Sequence, residues 1–200
     1  MNPTPPRAAV LLSGSGRTLS NFLERIEAGS LPLRIAAVVS SRSDVRGVEV
    51  ARGAGIPCEV FRRRDYPDIA AHNAAINQWL AAAAPDLIVL AGYLCFYIPP
   101  AGFAGPVVNI HPALLPAYGG QGYYGDRVHQ AVLTAGDERS GCTVHRVDEQ
   151  YDHGEILGQR EVPVLPGDDV HTLAARVFEA ECELYPEVLA KLAGEIRRGR

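Results

Sequence analysis

Two polar side chains, Asn109 and His111, lie in an otherwise apolar segment that ends at Pro112. Side chains two positions apart on a β-strand point to the same face of the sheet, so Asn109 and His111 are expected to share one wall of a pocket. Pro112 cannot donate a hydrogen bond to a strand ladder, which places the pair at the carboxyl end of the strand. An amide beside an imidazole can hold a carbonyl oxygen that becomes negative during nucleophilic attack. The pair therefore predicts an oxyanion site.

A remote carboxylate, Asp152, is the expected third member of this site. An imidazole that stabilises an oxyanion should be protonated, yet free histidine titrates near ~6.5. Asp152 lies in a polar loop before Gly154, and a nearby carboxylate would raise the pKa of His111 and keep the ring charged. A plainer alternative stays open, in which Asn109 forms a turn and His111 and Asp152 are ordinary strand-end and loop residues. His145 could face the same cavity from its predicted strand, but a core histidine bonded to the backbone is expected.

A glycine-rich segment, residues 13–18, follows the first apolar run and precedes a helical pattern. Backbone N–H groups and the positive end of a helix meet at such a junction, so the segment is a candidate phosphate site, to which Arg17 and Thr18 add a charge and a hydroxyl. A dinucleotide fingerprint would need glycine in place of Leu19, and a P-loop would need Gly-Lys-Ser/Thr, which the sequence lacks. An unliganded tight turn capped by a serine or threonine is the alternative.

The rest of the chain alternates short apolar runs with helix-length segments. The apolar runs predict strands at residues 8–12, 35–39, 58–61, 87–91, 107–110, 142–147 and 156–164. The longer segments predict helices at residues 19–26, 45–54, 68–83, 126–135 and 170–192. This alternation is typical of an α/β fold with a doubly wound, mostly parallel sheet and an antiparallel C-terminal addition. Ligands of such sheets bind beyond the carboxyl ends of the strands.

Composition narrows the class of protein further. With 47% apolar and 21% charged residues among 200, the chain is typical of a globular protein. A net charge of -4 does not favour binding to nucleic acid or acidic membranes, and neither the four cysteines nor the six histidines have a metal-ligand spacing. We expect a cytoplasmic monomer or homodimer without a metal. Its predicted organisation is a flexible leader at residues 1–6, a single domain at 7–194 and a basic tail at 195–200.

Four segments together resemble the folate-dependent formyltransferases, in particular the phosphoribosylglycinamide formyltransferases of purine synthesis. They are Ser-Gly-Ser-Gly at 13–16, Leu-Ala-Gly-Tyr at 90–93, Asn-Ile-His-Pro-Ala-Leu-Leu-Pro at 109–116 and Asp-His-Gly at 152–154. The resemblance covers about residues 7–192 and implies a formyltransferase-type Rossmann-like fold. It also implies transfer of a formyl group from 10-formyltetrahydrofolate to the amine of glycinamide ribonucleotide, without a metal or a covalent enzyme intermediate.

The resemblance implies a role for each part of the site. Asn109 and His111 would stabilise the oxyanion, His111 would donate a proton, and Asp152 would keep His111 charged. The ribose of the ribonucleotide would be bound by Glu181, and its phosphate by Gly14, Ser15, Gly16, Arg17 and Thr18. The folate would contact Asn109 and a pterin-lining segment that is partly main chain and comprises Leu94, Cys95, Phe96 and Tyr97.

The chain departs from the family pattern at three places. Cys95 occupies a position at which many members have an arginine, and His153 replaces the first glycine of an Asp-Gly-Gly loop. The segment 119–125 is longer and richer in glycine than its usual counterpart. It is expected to be either a mobile cover over the nucleotide or a plain surface loop.

Three other functions are kept as alternatives. Two are enzymatic: formyl transfer to a different amine, such as an amino sugar nucleotide, and hydrolysis of formyltetrahydrofolate. The third is a nucleotide-binding module without turnover. The presence of Asn109, His111 and Asp152 argues against the binding module, because a protein that only binds does not need an oxyanion site.

Overall fold

The computed structural model describes residues 4–199. Within them, the strands are β1 (Arg7–Leu12), β2 (Arg34–Ser40), β3 (Cys58–Val60), β4 (Leu87–Leu90), β5 (Val107–His111), β6 (Arg139–Arg146) and β7 (Ile156–Pro163). The α-helices are α1 (Arg17–Glu27), α2 (Arg46–Gly53), α3 (Ile69–Ala83), α4 (Asp126–Ala135) and α5 (Val170–Arg198). None of these helices combines the length and the apolar character that a membrane span requires.

The strands form a mixed sheet. β1 pairs with β2 and β4, and β2 pairs with β3, all in parallel. β5 pairs with β6, and β6 with β7, in antiparallel register, and the strand order is β3-β2-β1-β4-β5-β6-β7. Residues 8–12 of β1 are at most 1% exposed, which is expected of a parallel strand covered on both faces. The predicted fold class, mostly parallel with an antiparallel C-terminal addition, is confirmed.

Contacts divide the chain into two compact units. The first comprises the chain up to Val107 together with the segment from Leu189 onward, and the second is Val108–Val188. The first unit contains the glycine-rich segment 13–18 and the segment 94–97. The second contains Asn109, His111, Asp152 and Glu181.

Both ends of the chain differ from the expectation. α5 continues to Arg198, six residues past the predicted end at Leu192, so most of the predicted basic tail is helical. The extension is favoured because Ala193 is fully buried and the Arg197 guanidinium donates to the Pro32 carbonyl oxygen at 3.4 Å. Residues 1–3 of the predicted leader lie outside the described residues. Its last residue, Pro6, is buried, and its carbonyl oxygen accepts a hydrogen bond from the Arg34 amide at 2.9 Å.

A buried threonine on β6, Thr143, fixes the segment that follows β5. Its hydroxyl donates to the Ala113 carbonyl oxygen at 2.6 Å. It also accepts hydrogen bonds from the Leu115 amide at 3.0 Å and from Gln159 Nε2 at 2.9 Å. All the hydrogen-bonding capacity of the hydroxyl is therefore used, and the backbone just beyond His111 is held in place.

Replacing Thr143 by valine should lower the free energy of unfolding by about 1–3 kcal/mol, because the buried Leu115 amide and Ala113 carbonyl lose their partner without a change of shape. Urea-induced unfolding measures this loss. Thr143→Ser keeps the hydroxyl and is the matched control, expected to lose less. Equal stability of the valine and serine variants would show that the network has no such role.

Candidate active site

The carboxylate of Asp152 is the centre of a cluster of polar side chains in the second unit. Its Oδ1 lies 3.4 Å from Asn109 Nδ2, and its Oδ2 lies 3.4 Å from His111 Nδ1. The Gly120 amide donates to Oδ2 at 3.1 Å. The side chain of Asp152 is only 10% exposed and that of His111 only 4%. The structure therefore brings together the three side chains that the sequence singled out.

The loop between β6 and β7 gives Asp152 this position through an unusual backbone. Asp152 has a φ of 52°, in the left-handed region that side chains other than glycine rarely adopt. Two residues later, a Cβ on Gly154 would lie 2.0 Å from the Arg146 carbonyl oxygen, so only glycine fits against β6 there. The close approach of the loop to the strand turns the carboxylate toward the end of β5.

His111 lies between a backbone carbonyl oxygen and a carboxylate. Its Nε2 donates to the Tyr118 carbonyl oxygen at 2.7 Å, and its Nδ1 faces Asp152. Burial lowers the pKa of His111, the Asp152 charge and the Tyr118 carbonyl raise it, and His145 lowers it further, so that the pKa lies below its ordinary value. The expectation that Asp152 keeps His111 charged therefore needs correction. Burial outweighs the carboxylate.

Asp152 itself stays ionised at neutral pH. Burial raises the pKa of this carboxyl, but hydrogen bonding with His145, the charge of His111 and the Gly120 amide together bring it below its ordinary value. A buried carboxylate with these partners provides a fixed negative charge beside the imidazole.

His145 belongs to the same cluster, which was the alternative to an ordinary core histidine. Its Nδ1 donates to the Arg146 carbonyl oxygen at 2.8 Å, so the expected backbone bond is present. Its Nε2, however, lies 3.1 Å from Asn109 Nδ2 and 3.5 Å from Asp152 Oδ1. β5 and β6 pair Asn109 with His145, which places both side chains on one face. The available signal was that Thr143 and His145 are alternate polar positions in an otherwise apolar run.

The glycine-rich segment forms an uncapped helix start in the first unit. α1 begins at Arg17, and its N-cap residue Gly16 has a φ of 73° and provides no side-chain cap. A Cβ on Gly16 would lie 2.5 Å from the Gly47 Cα, so close packing alone requires glycine here. At Gly14, by contrast, a Cβ would meet nothing within 4 Å. The predicted alternative was a turn capped by serine or threonine, and no such side chain caps this helix. Ser15, just before the N-cap residue, is exposed.

The buried serine at the start of this segment, Ser13, ties it to the segment 94–97. The Ser13 hydroxyl oxygen accepts a hydrogen bond from the Leu94 amide at 2.9 Å and another from the Ser41 hydroxyl at 2.6 Å. The Ser13 amide donates to the Gly92 carbonyl oxygen at 3.0 Å. The residues that follow β1, β2 and β4 are thereby joined at one edge of the parallel strands.

Two asparagines of α3 hold the other end of the segment 94–97. Asn73 Nδ2 donates to the Phe96 carbonyl oxygen at 3.1 Å, and Asn73 Oδ1 accepts from the Ile98 amide at 3.0 Å. The Tyr97 hydroxyl donates to Asn77 Oδ1 at 2.7 Å. Tyr97 is 1% exposed, so its side chain anchors the segment in the core. Asparagines four residues apart on one helix were the sequence signal for this contact.

The other residues of the segment 94–97 keep more freedom to contact a ligand. Leu94 is 47% exposed, while Cys95 and Phe96 are half-buried. Burial raises the pKa of the Cys95 thiol, and the neighbouring Ser41 and Tyr93 side chains act against this rise without reversing it. Cys95 is therefore a neutral, partly accessible group at neutral pH.

Glu181 lies on α5 in the second unit. The pKa of Cys142, on β6, is raised to about 12, mainly by burial and secondly by the negative charge of Glu181. The Glu181 carboxylate therefore lies close to that strand. Burial and Glu181 also raise the pKa of Tyr185. The side chain of Glu181 is half-buried, and its contact with a ribose stays a prediction.

The fold and the cluster around Asp152 define an α/β protein with a buried group of polar side chains at the end of β5. A family model described as formyl transferase matches residues 6–189. The chain is 40% identical over 185 residues to phosphoribosylglycinamide formyltransferase of Haemophilus influenzae, covering 92% of this chain and 85% of that protein. It therefore belongs to the formyl transferase family.

Two further relatives agree with this membership. The chain is 41% identical over 192 residues to the chloroplastic phosphoribosylglycinamide formyltransferase of Vigna unguiculata, covering 94% of this chain and 61% of that protein. Among solved structures, glycinamide ribonucleotide transformylase 1 from Symbiobacterium toebii is similar with a TM-score of 0.88 and 38% identity, covering 96% of this chain and 89% of that one.

Replacing Asp152 by asparagine should lower the pKa of His111 further, because the carboxylate is the main influence that opposes burial. Titration of the histidine ring signals by NMR measures the shift. Asp148→Asn, in the same loop, removes a carboxylate that pairs with His153 and is the control, expected to leave His111 unchanged. An unchanged or higher pKa of His111 in the Asp152 variant would contradict the assigned electrostatics.

Proposed function

We propose that this protein transfers the formyl group of 10-formyltetrahydrofolate to the amine of glycinamide ribonucleotide. The observation that supports this most is the cluster in which the Asp152 carboxylate lies 3.4 Å from both the Asn109 amide and the His111 ring. The names of the relatives from Haemophilus influenzae and Vigna unguiculata point to the same reaction.

The reaction needs little help for the nucleophile and more for the oxygen. An α-amino group has a pKa near ~8, so part of the substrate amine is neutral in the cell and can attack the formyl carbon directly. A carbon–nitrogen bond forms, and the formyl oxygen becomes negative in a tetrahedral intermediate. Collapse of that intermediate breaks the bond to the folate nitrogen, which takes up a proton, while the attacking amine loses one.

Asn109 and His111 stabilise the oxygen. The Asn109 amide donates to it, and the developing negative charge raises the pKa of His111, so that the ring gains a proton as the intermediate forms. A histidine whose pKa lies below its ordinary value is thus charged by the reaction. Asp152 stabilises the imidazolium and relays protons through water. His111 donates the proton that the leaving folate nitrogen takes up.

The substrates are held by the segments that the sequence indicated. Backbone amides of residues 14–18 at the start of α1, with the Arg17 side chain, bind the ribonucleotide phosphate. Glu181 accepts hydrogen bonds from the ribose hydroxyls. Asn109 and the segment 94–97 contact the pterin, and within the segment the more exposed Leu94, Cys95 and Phe96 contribute most because Tyr97 is buried.

An assay that mixes the protein with 10-formyltetrahydrofolate, with and without glycinamide ribonucleotide, tests this function through the folate absorbance. We expect formyl release only when the ribonucleotide is present. Release without the amine would instead show hydrolysis, and binding without release would show a nucleotide-binding module. An amino sugar nucleotide as a second acceptor tests for a different amine.

In the same assay, His111→Ala should lower turnover at least ~100-fold, the scale for losing one donor to an oxyanion. His171→Ala removes an exposed histidine at the start of α5 and is the control, expected to keep full turnover. Unchanged turnover in His111→Ala would remove His111 from the chemical step.

Arg17→Ala should raise the KM for glycinamide ribonucleotide more than it lowers kcat, because a phosphate contact is made in both the ground state and the transition state. Steady-state kinetics with varied ribonucleotide separate the two constants. Arg25→Ala, in the last turn of the same helix, serves as the control. A fall in kcat at constant KM would place Arg17 at the chemical step.

A further inference from the structure

A short turn beyond β5, residues 118–120, contacts both His111 and Asp152 through its backbone. The Tyr118 carbonyl oxygen accepts a hydrogen bond from His111 Nε2 at 2.7 Å. Two residues later, the Gly120 amide donates to Asp152 Oδ2 at 3.1 Å. The position of this turn therefore affects how the imidazole and the carboxylate face each other.

The Tyr118 contact decides which nitrogen of the neutral His111 ring carries the hydrogen. A carbonyl oxygen can only accept a hydrogen bond, so the hydrogen must be on Nε2. Nδ1 is then left with a lone pair that faces Asp152 Oδ2 at 3.4 Å, a longer separation than the about 2.7–2.9 Å of a charge-assisted hydrogen bond. Nδ1 is therefore the nitrogen that takes up a proton when negative charge develops beside it.

The backbone of Tyr118 does not hold this orientation by itself. Its φ is 55°, in the left-handed region that residues with a Cβ rarely adopt. Gly119 and Gly120 follow, and glycines give the chain freedom to relax into another conformation. The orientation of the Tyr118 carbonyl therefore depends on contacts that hold this residue from outside the turn.

The side chain of Tyr118 makes such a contact with Asp137. The Tyr118 hydroxyl donates to Asp137 Oδ2 at 2.5 Å, and the tyrosine ring packs edge-to-face on Tyr123, with the ring centroids 6.2 Å apart. The hydrogen bond with Asp137 raises the pKa of Tyr118, so the hydroxyl keeps its proton and remains a donor.

Asp137 is itself anchored at the end of helix α4. The C-cap residue of this helix, Gly136, has a φ of 73°, and the Asp137 amide then turns back and donates to the Val132 carbonyl oxygen at 3.4 Å. Val128 and Val132 are at most 1% exposed, so α4 is packed into the core. The carboxylate that accepts from Tyr118 therefore belongs to the end of a packed helix.

We propose that Tyr118 and Asp137 are positioning residues for formyl transfer. Their hydrogen bond orients the Tyr118 carbonyl, which keeps the hydrogen of the neutral His111 ring on Nε2 and leaves Nδ1 open for the proton gained in the reaction. When the ring becomes a cation, its Nε2–H bond to the carbonyl becomes charge-assisted and stronger, so the contact favours the transition state over the ground state. The effect on turnover rests on the proposed function, whereas the effect on the ring does not.

Tyr118→Phe and Asp137→Ala each remove the hydrogen bond, and the phenylalanine keeps the ring that packs on Tyr123. Nitrogen-15 NMR titration of the histidine rings measures the first effect. We expect a lower pKa of His111 in both variants, because the carbonyl is one of the groups that oppose burial, and a larger share of the Nδ1–H form above that pKa.

The other ionisable groups that act on His111 stay in place in these variants. They are Asp152, His145 and His129, whose pKa is lowered by burial and, to a smaller extent, by His111. A change in the His111 signals is therefore a response to the carbonyl.

Steady-state kinetics of formyl transfer measure the second effect. In both variants kcat should fall about 5-fold, the scale of one hydrogen bond, while KM for each substrate changes less than about 2-fold. Combining the two substitutions should add no further loss, because both remove the same interaction. Asp137→Asn keeps an oxygen that accepts the hydroxyl and should retain most of the wild-type kcat. Glu138→Ala, which removes the neighbouring exposed carboxylate, is the matched control and should behave as the wild type.

An unchanged His111 ring and unchanged kcat in both Tyr118→Phe and Asp137→Ala would overturn the proposal. A rise in KM alone would do the same, because the hydrogen bond would then act on substrate binding, and so would equal losses in Glu138→Ala. If the wild type shows no amine-dependent formyl release but the His111 signals shift as expected, the proposed function fails and the role of Tyr118 and Asp137 in holding the ring stands.

Discussion

A buried, ionised carboxylate must be matched by donors and positive charge, and Asp152 imposes this requirement on the second unit. The Asn109 amide, the rings of His111 and His145, and the Gly120 amide all approach its two oxygens. Without them, the charge would be too costly to bury and the carboxyl would take up a proton. The left-handed backbone at Asp152 and the close approach of Gly154 to β6 both position the carboxylate for these contacts.

The same cluster sets the chemistry of His111. Burial favours the neutral ring and the carboxylate favours the charged ring, and burial has the larger effect. A ring balanced in this way responds strongly to any new negative charge nearby. A tetrahedral intermediate provides that charge, so the histidine would become a cation when one is needed and not before.

In the first unit, hydrogen bonds hold together the residues that follow several parallel strands. Buried polar side chains do this: Ser13 joins the residues after β1, β2 and β4, and Asn73 holds the segment 94–97. These contacts satisfy backbone groups that parallel strands leave unpaired at their ends.

Local patterns in the sequence were sufficient for the strands and helices, for the shared face of Asn109 and His111, and for the uncapped helix start after the glycines. Each depends on residues only a few positions apart. The meeting of Asp152 with His111, the entry of His145 into the cluster, the anchoring of Tyr97 and the helical end of the chain were decided by tertiary structure. So was the direction of the His111 pKa. All of these depend on burial and on contacts between residues far apart in the chain, which short-range periodicity does not encode.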